Sequence, residues 1–88
     1  VIQLELIQGV GGVREIPGAL LEAISELRRH QGFSVFIDEI QTGMFRTGPF
    51  LRSIVKPLSP DFVTIGKGVS DMMFPFALTM YSDRMQYL

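Results

Sequence analysis

Residues 33–41 read FSVFIDEIQ, an apolar run that opens onto two acids, and residues 62–68 read FVTIGKG, a second apolar run that opens onto a lysine. Both runs are short, rich in β-branched and aromatic residues, and bounded by turn-forming residues, as buried strands are. Each predicted strand therefore ends at a charged side chain, Asp38 or Lys67. Because ligands of open α/β sheets bind at the carboxyl ends of parallel strands, we expect these two side chains to face one site.

A helix is predicted just before the first of these strands. Residues 17–31 open with a proline suited to a first helical turn and are followed by Gly32. Residues 1–7 alternate like a strand around Glu5, which is either an edge residue in solvent or a functional acid, since burying an unpaired carboxylate is costly. Strand, helix and strand in this order predict a parallel pair and an α/β fold. The predicted apolar face of the helix consists of Leu20, Leu21, Ile24 and Leu27.

The remaining sequence predicts two loops and one more strand. Residues 42–60 form a loop with a short helical turn over 50–55, residues 69–75 form a second loop, and residues 76–81 are strand-like. The second loop is unusually apolar, which suits a subunit interface, a substrate-facing wall or ordinary core filling. Its large apolar residues are Met72, Met73 and Phe74.

The composition describes a globular chain with a large apolar fraction. Of the 88 residues, 47% are hydrophobic and 19% are charged, and the mean hydropathy is +0.29. A domain of this length hides only a limited share of its surface. We therefore expect residues 1–88 to form a partial domain of a larger protein, without an internal boundary, that packs against further protein.

The net charge and the cysteine content limit which binding partners and which cellular compartment we expect for this protein. The net charge is −1, the isoelectric point is near 5.7 and the basic residues are scattered, so we expect no nucleic-acid partner. The absence of cysteine excludes disulfides and thiolate metal sites and favours the cytoplasm, and we expect no metal. No signal peptide or membrane span is recognisable, so we expect no membrane partner.

Two kinds of chemistry suit an aspartate and a lysine at strand ends. The acidic strand of a P-loop ATPase has this appearance, but the companion motif G-x-x-x-x-G-K-[ST] fails, because Gly68 follows Lys67 and the leading glycine would fall at Asp61. A phosphate loop before residue 1 would restore that alternative. The other chemistry is a lysine nucleophile, activated by desolvation, with an aspartate that keeps a cofactor's pyridine nitrogen protonated. On residue types alone, a structural ion pair is the commoner role.

Three segments together resemble the class III aminotransferases, which depend on pyridoxal phosphate (PLP). These segments are FIDEIQTG (residues 36–43), RTG (46–48) and SPDFVTIGKG (59–68), and their order and spacing agree with that family. The segment LELIQG (4–9) resembles the family's Glu-Pro-x-x-Gly segment, so the similarity covers nearly the whole chain.

The resemblance implies the fold type I large domain: part of a mostly parallel sheet with flanking helices, in a homodimer. Lys67 would hold PLP as a Schiff base and move the proton, and Asp38 would pair with the ring nitrogen. Ile40 would pack on the ring, Gln41 would hydrogen-bond the phenolic oxygen, and Glu5 matches an acid near the pocket. The implied reaction is transamination between a small amine or amino acid and a carbonyl compound.

Two alternatives stay open beside transamination. Mutases and epimerases of the same fold would use the same aspartate and lysine. The isolated 88-residue piece would be an inactive structural or dimerising fragment, because half of the pocket is missing from it.

The chain also departs from the family pattern. Leu6 stands where the family usually has proline, and Val10 where it often has an acid, which argues against glutamate as the amino donor. Phe45 replaces a common glycine, and residues 70–74 (SDMMF) replace a glycine-rich turn. We expect the local pocket or the subunit contact to differ accordingly.

Overall fold

The computed structural model describes residues 1–71 and 73–87, so the apolar loop residue Met72 lies outside the described residues. Within them, the strands are β1 (Ile2–Glu5), β2 (Ile7–Gln8), β3 (Arg14–Glu15), β4 (Val35–Asp38), β5 (Phe62–Gly66) and β6 (Ala77–Tyr81), the α-helix is α1 (Gly18–Gln31), and short 3-10 helices span Arg52–Val55, Lys67–Ser70 and Asp83–Met85. No helix of this part of the chain has the length and apolar character needed to cross a membrane.

The main sheet is mixed and mostly parallel, as predicted. Its described strands are ordered β1, β4, β5 and β6; the first three run parallel and β6 runs antiparallel to β5. The strand predicted over 33–37 begins and ends later, because its ladder starts at Val35 and extends to Asp38. The ladder places Asp38 between Glu5 of β1 and Thr64 of β5.

Helix α1 begins one residue later than predicted, ends before Gly32 as predicted, and shows only part of the predicted apolar face. Pro17 precedes the helix, and Gly32 ends it in the left-handed conformation that glycine adopts readily, with φ 69°. Leu21 is fully buried and Ile24 packs beside it against the core. Leu20 and Leu27 remain 48% and 50% exposed. Only half of the predicted apolar face of α1, Leu21 and Ile24, therefore packs against the core.

The core lies between α1 and one face of the sheet. Val35 and Ile37 of β4 point into it, together with Leu21, Leu58 and Leu6. Leu6, which departs from the family's usual proline, is therefore a core residue. The alternate β4 residues, Phe36 and Asp38, are only partly buried, because strand side chains alternate between the two faces.

The amino edge of the sheet is the edge at which the parallel strands β1, β4 and β5 begin. Asp61, which is 1% exposed, joins several elements there. Its carboxylate accepts a 2.8 Å hydrogen bond from the Val35 backbone N–H and a 2.7 Å hydrogen bond from Nη2 of Arg28. Its backbone N–H donates to the Val35 carbonyl at 2.8 Å, and its carbonyl accepts from Ser82 N–H at 2.8 Å. One buried acid thus ties α1 to the starts of β4 and β5 and the end of β6.

The hairpin of β2 and β3 was not predicted. Glu15 of β3 accepts hydrogen bonds from Lys56 and from Arg52, both on the loop before β5. The hydrogen bond from Lys56, followed by that from Arg52, lowers the pKa of Glu15 from its ordinary 4.5 to about 2. The hairpin is therefore fastened to that loop by charge.

Candidate functional site

The parallel pairing of β4 and β5 brings the two predicted charged residues to one edge of the sheet. Asp38 is the last residue of β4 and pairs in register with Thr64 of β5. Strand β5 ends at Gly66, and Lys67 follows immediately. Both side chains therefore start from the carboxyl edge, where α/β sheets bind their ligands.

The carboxylate of Asp38 is oriented by its own backbone neighbour. Its Oδ1 accepts a 2.9 Å hydrogen bond from the backbone N–H of Ile40, a local turn that aspartate commonly forms. None of the described residues donates a hydrogen bond to Oδ2. Asp38 thus presents a fixed, half-buried carboxylate with one oxygen left to accept a further hydrogen bond.

Lys67 occupies a strained backbone position. Its φ of 45° lies in the left-handed region, which side chains other than glycine rarely adopt, and it opens the 3-10 helix that follows β5. Strain of this kind costs on the order of 1 kcal/mol and is concentrated at functional sites, where the surrounding structure enforces it.

An open concavity of about 670 Å³ joins Lys67 to Ile40. Gly66 also lines it, and a Cβ atom on that glycine would lie 3.6 Å from Cγ1 of Ile40. The far wall is apolar and includes Phe74 and Phe76, whose rings meet edge to face at 6.1 Å. The concavity is therefore lined by a lysine, an aliphatic side chain and an aromatic wall.

Asp38, Gln41 and Glu5 are not among the residues that line this concavity. Gln41 is exposed, and its side chain lies against Gly9, where an added Cβ atom would be 3.4 Å from Cγ of Gln41. Glu5 is exposed on the edge strand β1 and lines a separate concavity with Arg14. The structure thus brings Lys67 and Ile40 together, and Glu5 meets the site only through its register with Asp38.

Sequence reasoning gave no role to Glu39, the residue after Asp38. Glu39 is 1% exposed, and its carboxylate accepts hydrogen bonds from Thr42 Oγ1 and the backbone N–H of Arg52, both at 2.8 Å, and from Ser53 N–H at 2.7 Å. No local pattern in the sequence points to this burial, because Glu39 lies after the last residue of β4 and two of its three carboxylate donors lie 13 and 14 residues away along the chain.

Residues 1–87 match the family model described as Aminotransferase class-III. This chain belongs to the class III aminotransferases. Membership confirms the family suggested by residues 36–43, 46–48 and 59–68, and it sets aside the P-loop ATPase alternative.

Named relatives agree with this family. The chain is 33% identical over 82 residues to diaminobutyrate–2-oxoglutarate transaminase of Streptomyces coelicolor, covering 93% of this chain and 19% of that protein. It is 37% identical over 83 residues to acetylornithine aminotransferase of Haemophilus ducreyi, covering 94% and 21%. The structure superposes on ornithine aminotransferase of Toxoplasma gondii ME49 with a TM-score of 0.83 at 36% identity, covering 98% and 21%. The chain thus spans about a fifth of the length of these relatives.

Class III aminotransferases use PLP, and the residues at the carboxyl edge fit that cofactor. The unoccupied oxygen of Asp38 suits a protonated ring nitrogen, because a carboxylate accepts charge-assisted hydrogen bonds. The amine of Lys67 and the side chain of Ile40 share one concavity, as an aldehyde-binding group and a ring contact require. Within the described ranges, no group of three His, Cys, Asp or Glu residues is placed to hold a metal ion.

The structure also shows what accompanies Phe45, which stands where the class III aminotransferases commonly have glycine. Phe45 has φ 65°, a left-handed conformation that favours glycine, and its neighbour Met44 has φ 57°. The Phe45 ring meets Phe50 edge to face at 5.5 Å. The loop after β4 thus keeps the backbone shape that suits glycine and adds an aromatic contact instead.

Proposed function

We propose that this chain supplies the lysine and the ring-nitrogen carboxylate of a PLP-dependent aminotransferase, which moves an amino group between an amine or amino acid and a carbonyl compound. One observation carries the proposal: in a class III chain, Asp38 and Lys67 leave neighbouring parallel strands at the same edge, and Lys67 opens into a concavity. When bound, PLP supplies an electron sink for the substrate.

Lys67 has two roles in this proposal. Its amine holds the cofactor covalently between turnovers. During turnover the substrate's amine would displace that of Lys67, and the freed Lys67 amine would accept the proton from the substrate's Cα and deliver it to the cofactor carbon that bears the substrate nitrogen. Lys67 directly follows the last residue of β5, and its left-handed backbone is a strained conformation of the kind that is concentrated at functional sites.

Asp38 keeps the ring nitrogen protonated. The N–H of Ile40 fixes one carboxylate oxygen, so the other is held in place for the ring. Ile40, which lines the concavity, would contact the ring face, and Gln41 would donate a hydrogen bond to the phenolic oxygen. Glu5, in register beside Asp38, adds negative charge near the pocket.

The complete protein would act as a cytoplasmic homodimer on small-molecule substrates. The isolated 88-residue chain would be inactive, because it spans about a fifth of the length of its relatives and lacks the other walls of the pocket.

Separate substitutions at the two residues test this division of roles in the complete protein. Lys67→Ala is expected to abolish the absorbance of covalently held PLP and to lower kcat by about 10³-fold or more, because the proton carrier is removed. Asp38→Asn is expected to retain covalent PLP and to lower kcat by about 10²-fold to 10³-fold, because the ring nitrogen loses its charged partner. Normal turnover by either variant, measured with an amino donor of the wild-type enzyme, would contradict the assignment.

A further inference from the structure

Glu39 is a buried charge whose hydrogen bonds all come from one segment. Its carboxylate accepts from Thr42, Arg52 and Ser53, and its carbonyl accepts from the N–H of Gly43 at 2.8 Å. A buried carboxylate is tolerated only when hydrogen bonds replace its water shell. Because Glu39 is only 1% exposed, the three donors to its carboxylate, two of which are backbone N–H groups, are essential to its place in the fold.

These bonds close the loop that carries the proposed cofactor contacts. Thr42 lies three residues after Glu39, whereas Arg52 and Ser53 lie 13 and 14 residues after it, so the carboxylate fastens both ends of one loop. Ile40 and Gln41 form the start of that loop. Their backbone lies directly between Glu39 and its first donor, and its position depends on those contacts.

The same loop reaches the Lys67 turn. Met44, in the middle of the loop, packs against Gly68, where a Cβ atom would lie only 3.1 Å from Cβ of Met44. Gly68 follows Lys67 directly in the 3-10 helix. A shift of the loop would therefore be transmitted to the backbone that carries the lysine.

We propose that Glu39 is a positioning residue for the cofactor: it holds Ile40 and Gln41 on one side of the site and, through Met44, the Lys67 turn on the other. This inference rests on the proposed function. Glu39 itself touches neither cofactor nor substrate in this account, and acts by fixing the loop after β4.

The test uses Glu39→Gln in the complete protein. Glutamine keeps the shape but presents an NH₂ group to a hydrogen-bond donor, so one oxygen's contacts are lost. After removal and readdition of PLP, we expect the dissociation constant for PLP to rise roughly ten-fold to a hundred-fold, as the loss of hydrogen bonds to a charged group implies.

The chain offers a matched control in Asp61→Asn. Asp61 is equally buried, but it lies at the amino edge and pairs with Arg28, so its replacement by asparagine leaves the guanidinium group without its charged partner. We expect Asp61→Asn to lower the melting temperature at least as much as Glu39→Gln does, and to leave the dissociation constant for PLP unchanged. A purely structural role for Glu39 would not separate the two variants.

Two results would overturn the inference while leaving the proposed function intact: wild-type PLP affinity in Glu39→Gln, or an equal loss of affinity in Asp61→Asn. If Glu39→Gln does not fold, Thr42→Val removes one of the three bonds, and we expect a rise in the dissociation constant of about three-fold or more. An unchanged constant in Thr42→Val would then count against the inference. Failure of the wild-type protein to bind PLP would instead refute the proposed function, and this inference with it.

Discussion

The two edges of the main sheet are built differently. Left-handed residues other than glycine are found in the segments that follow the carboxyl ends of β1, β4 and β5; among the described residues these are Val13, Met44, Phe45, Lys67 and Asp71. At the amino edge, the described residue with this conformation is Gly32, which adopts it without strain. In the described part of the chain, four of these five residues lie in the segments after β4 and β5, which carry the proposed site, and Val13 lies in the β2–β3 hairpin. Strain of this kind is expected where positioning outweighs stability.

Each edge also has one fully buried acid, but with a different partner. Asp61 at the amino edge pairs with the cation of Arg28, whereas Glu39 at the carboxyl edge accepts from neutral donors. The pair of Asp61 joins elements of regular structure, and Glu39 joins the two ends of a loop. We infer that the amino edge stabilises the fold and that the carboxyl edge holds the site in shape.

The largest effect on stability is expected from Arg28→Ala at the amino edge. This change leaves the buried carboxylate of Asp61 with only the more distant Arg84, at 3.7 Å, as a cation. We expect the free energy of unfolding to fall by about 3 kcal/mol, measured by urea denaturation, with PLP affinity unchanged.

The neighbouring Arg29→Ala is the control for that change. Arg29 forms an exposed ion pair with Glu26, and such pairs contribute less than about 1 kcal/mol. If both variants lost the same unfolding free energy, or if Arg28→Ala bound PLP more weakly, the amino edge would not have the purely stabilising role assigned to it.

A smaller effect that reaches the site is expected from Gly43→Ala. An added Cβ atom would lie 2.8 Å from the Glu39 carbonyl oxygen and 3.3 Å from Cγ2 of Ile65, so the loop must shift. We expect a loss of about 1 to 3 kcal/mol in unfolding free energy together with weaker PLP binding, measured by titration. Gly18→Ala, where nothing lies within 4 Å, should leave PLP binding unchanged and stability equal or higher. Wild-type PLP affinity in Gly43→Ala would show that the loop does not position the site.

The smallest effect on stability is expected when the pH is lowered until Glu15 becomes protonated. Its pKa is lowered to about 2 in the folded protein by Lys56 and Arg52, so its ion pairs contribute fully above the ordinary value of 4.5 and are lost as the pH falls towards 2. The NMR titration of its side-chain carboxyl carbon should show a midpoint well below 4.5. In Glu15→Gln, the part of the acid-induced loss of stability that Glu15 causes between pH 4.5 and pH 2 should be absent. A titration midpoint near 4.5 in the wild-type protein would show that Lys56 and Arg52 do not hold the hairpin through Glu15.

Local patterns in the sequence predicted much of this arrangement. The capping of α1 by Pro17 and Gly32, the parallel strands and the ends of β4 and β5 follow from periodicity and turn residues, which act over a few positions. The hairpin of β2 and β3 was missed, because two-residue strands are too short to show a period.

The role of Glu39 could not be predicted from local patterns. Hydropathy places a glutamate in solvent, and two of the donors that make its burial possible lie 13 and 14 residues away in sequence. Long-range hydrogen bonds of this kind are decided by tertiary structure. The family motifs, in contrast, predict roles for Asp38 and Lys67, because those residues match positions at which the family's chemistry needs an aspartate and a lysine.

The proposed attachment of the cofactor to Lys67 can be tested by chemical reduction. The complete protein would be loaded with PLP, treated with borohydride, digested and mapped by mass spectrometry. We predict that the label lies on Lys67. Lys56, the other lysine of this sequence, is engaged with Glu15 and should stay unmodified. A label on Lys56, or on any lysine other than Lys67, would contradict the account.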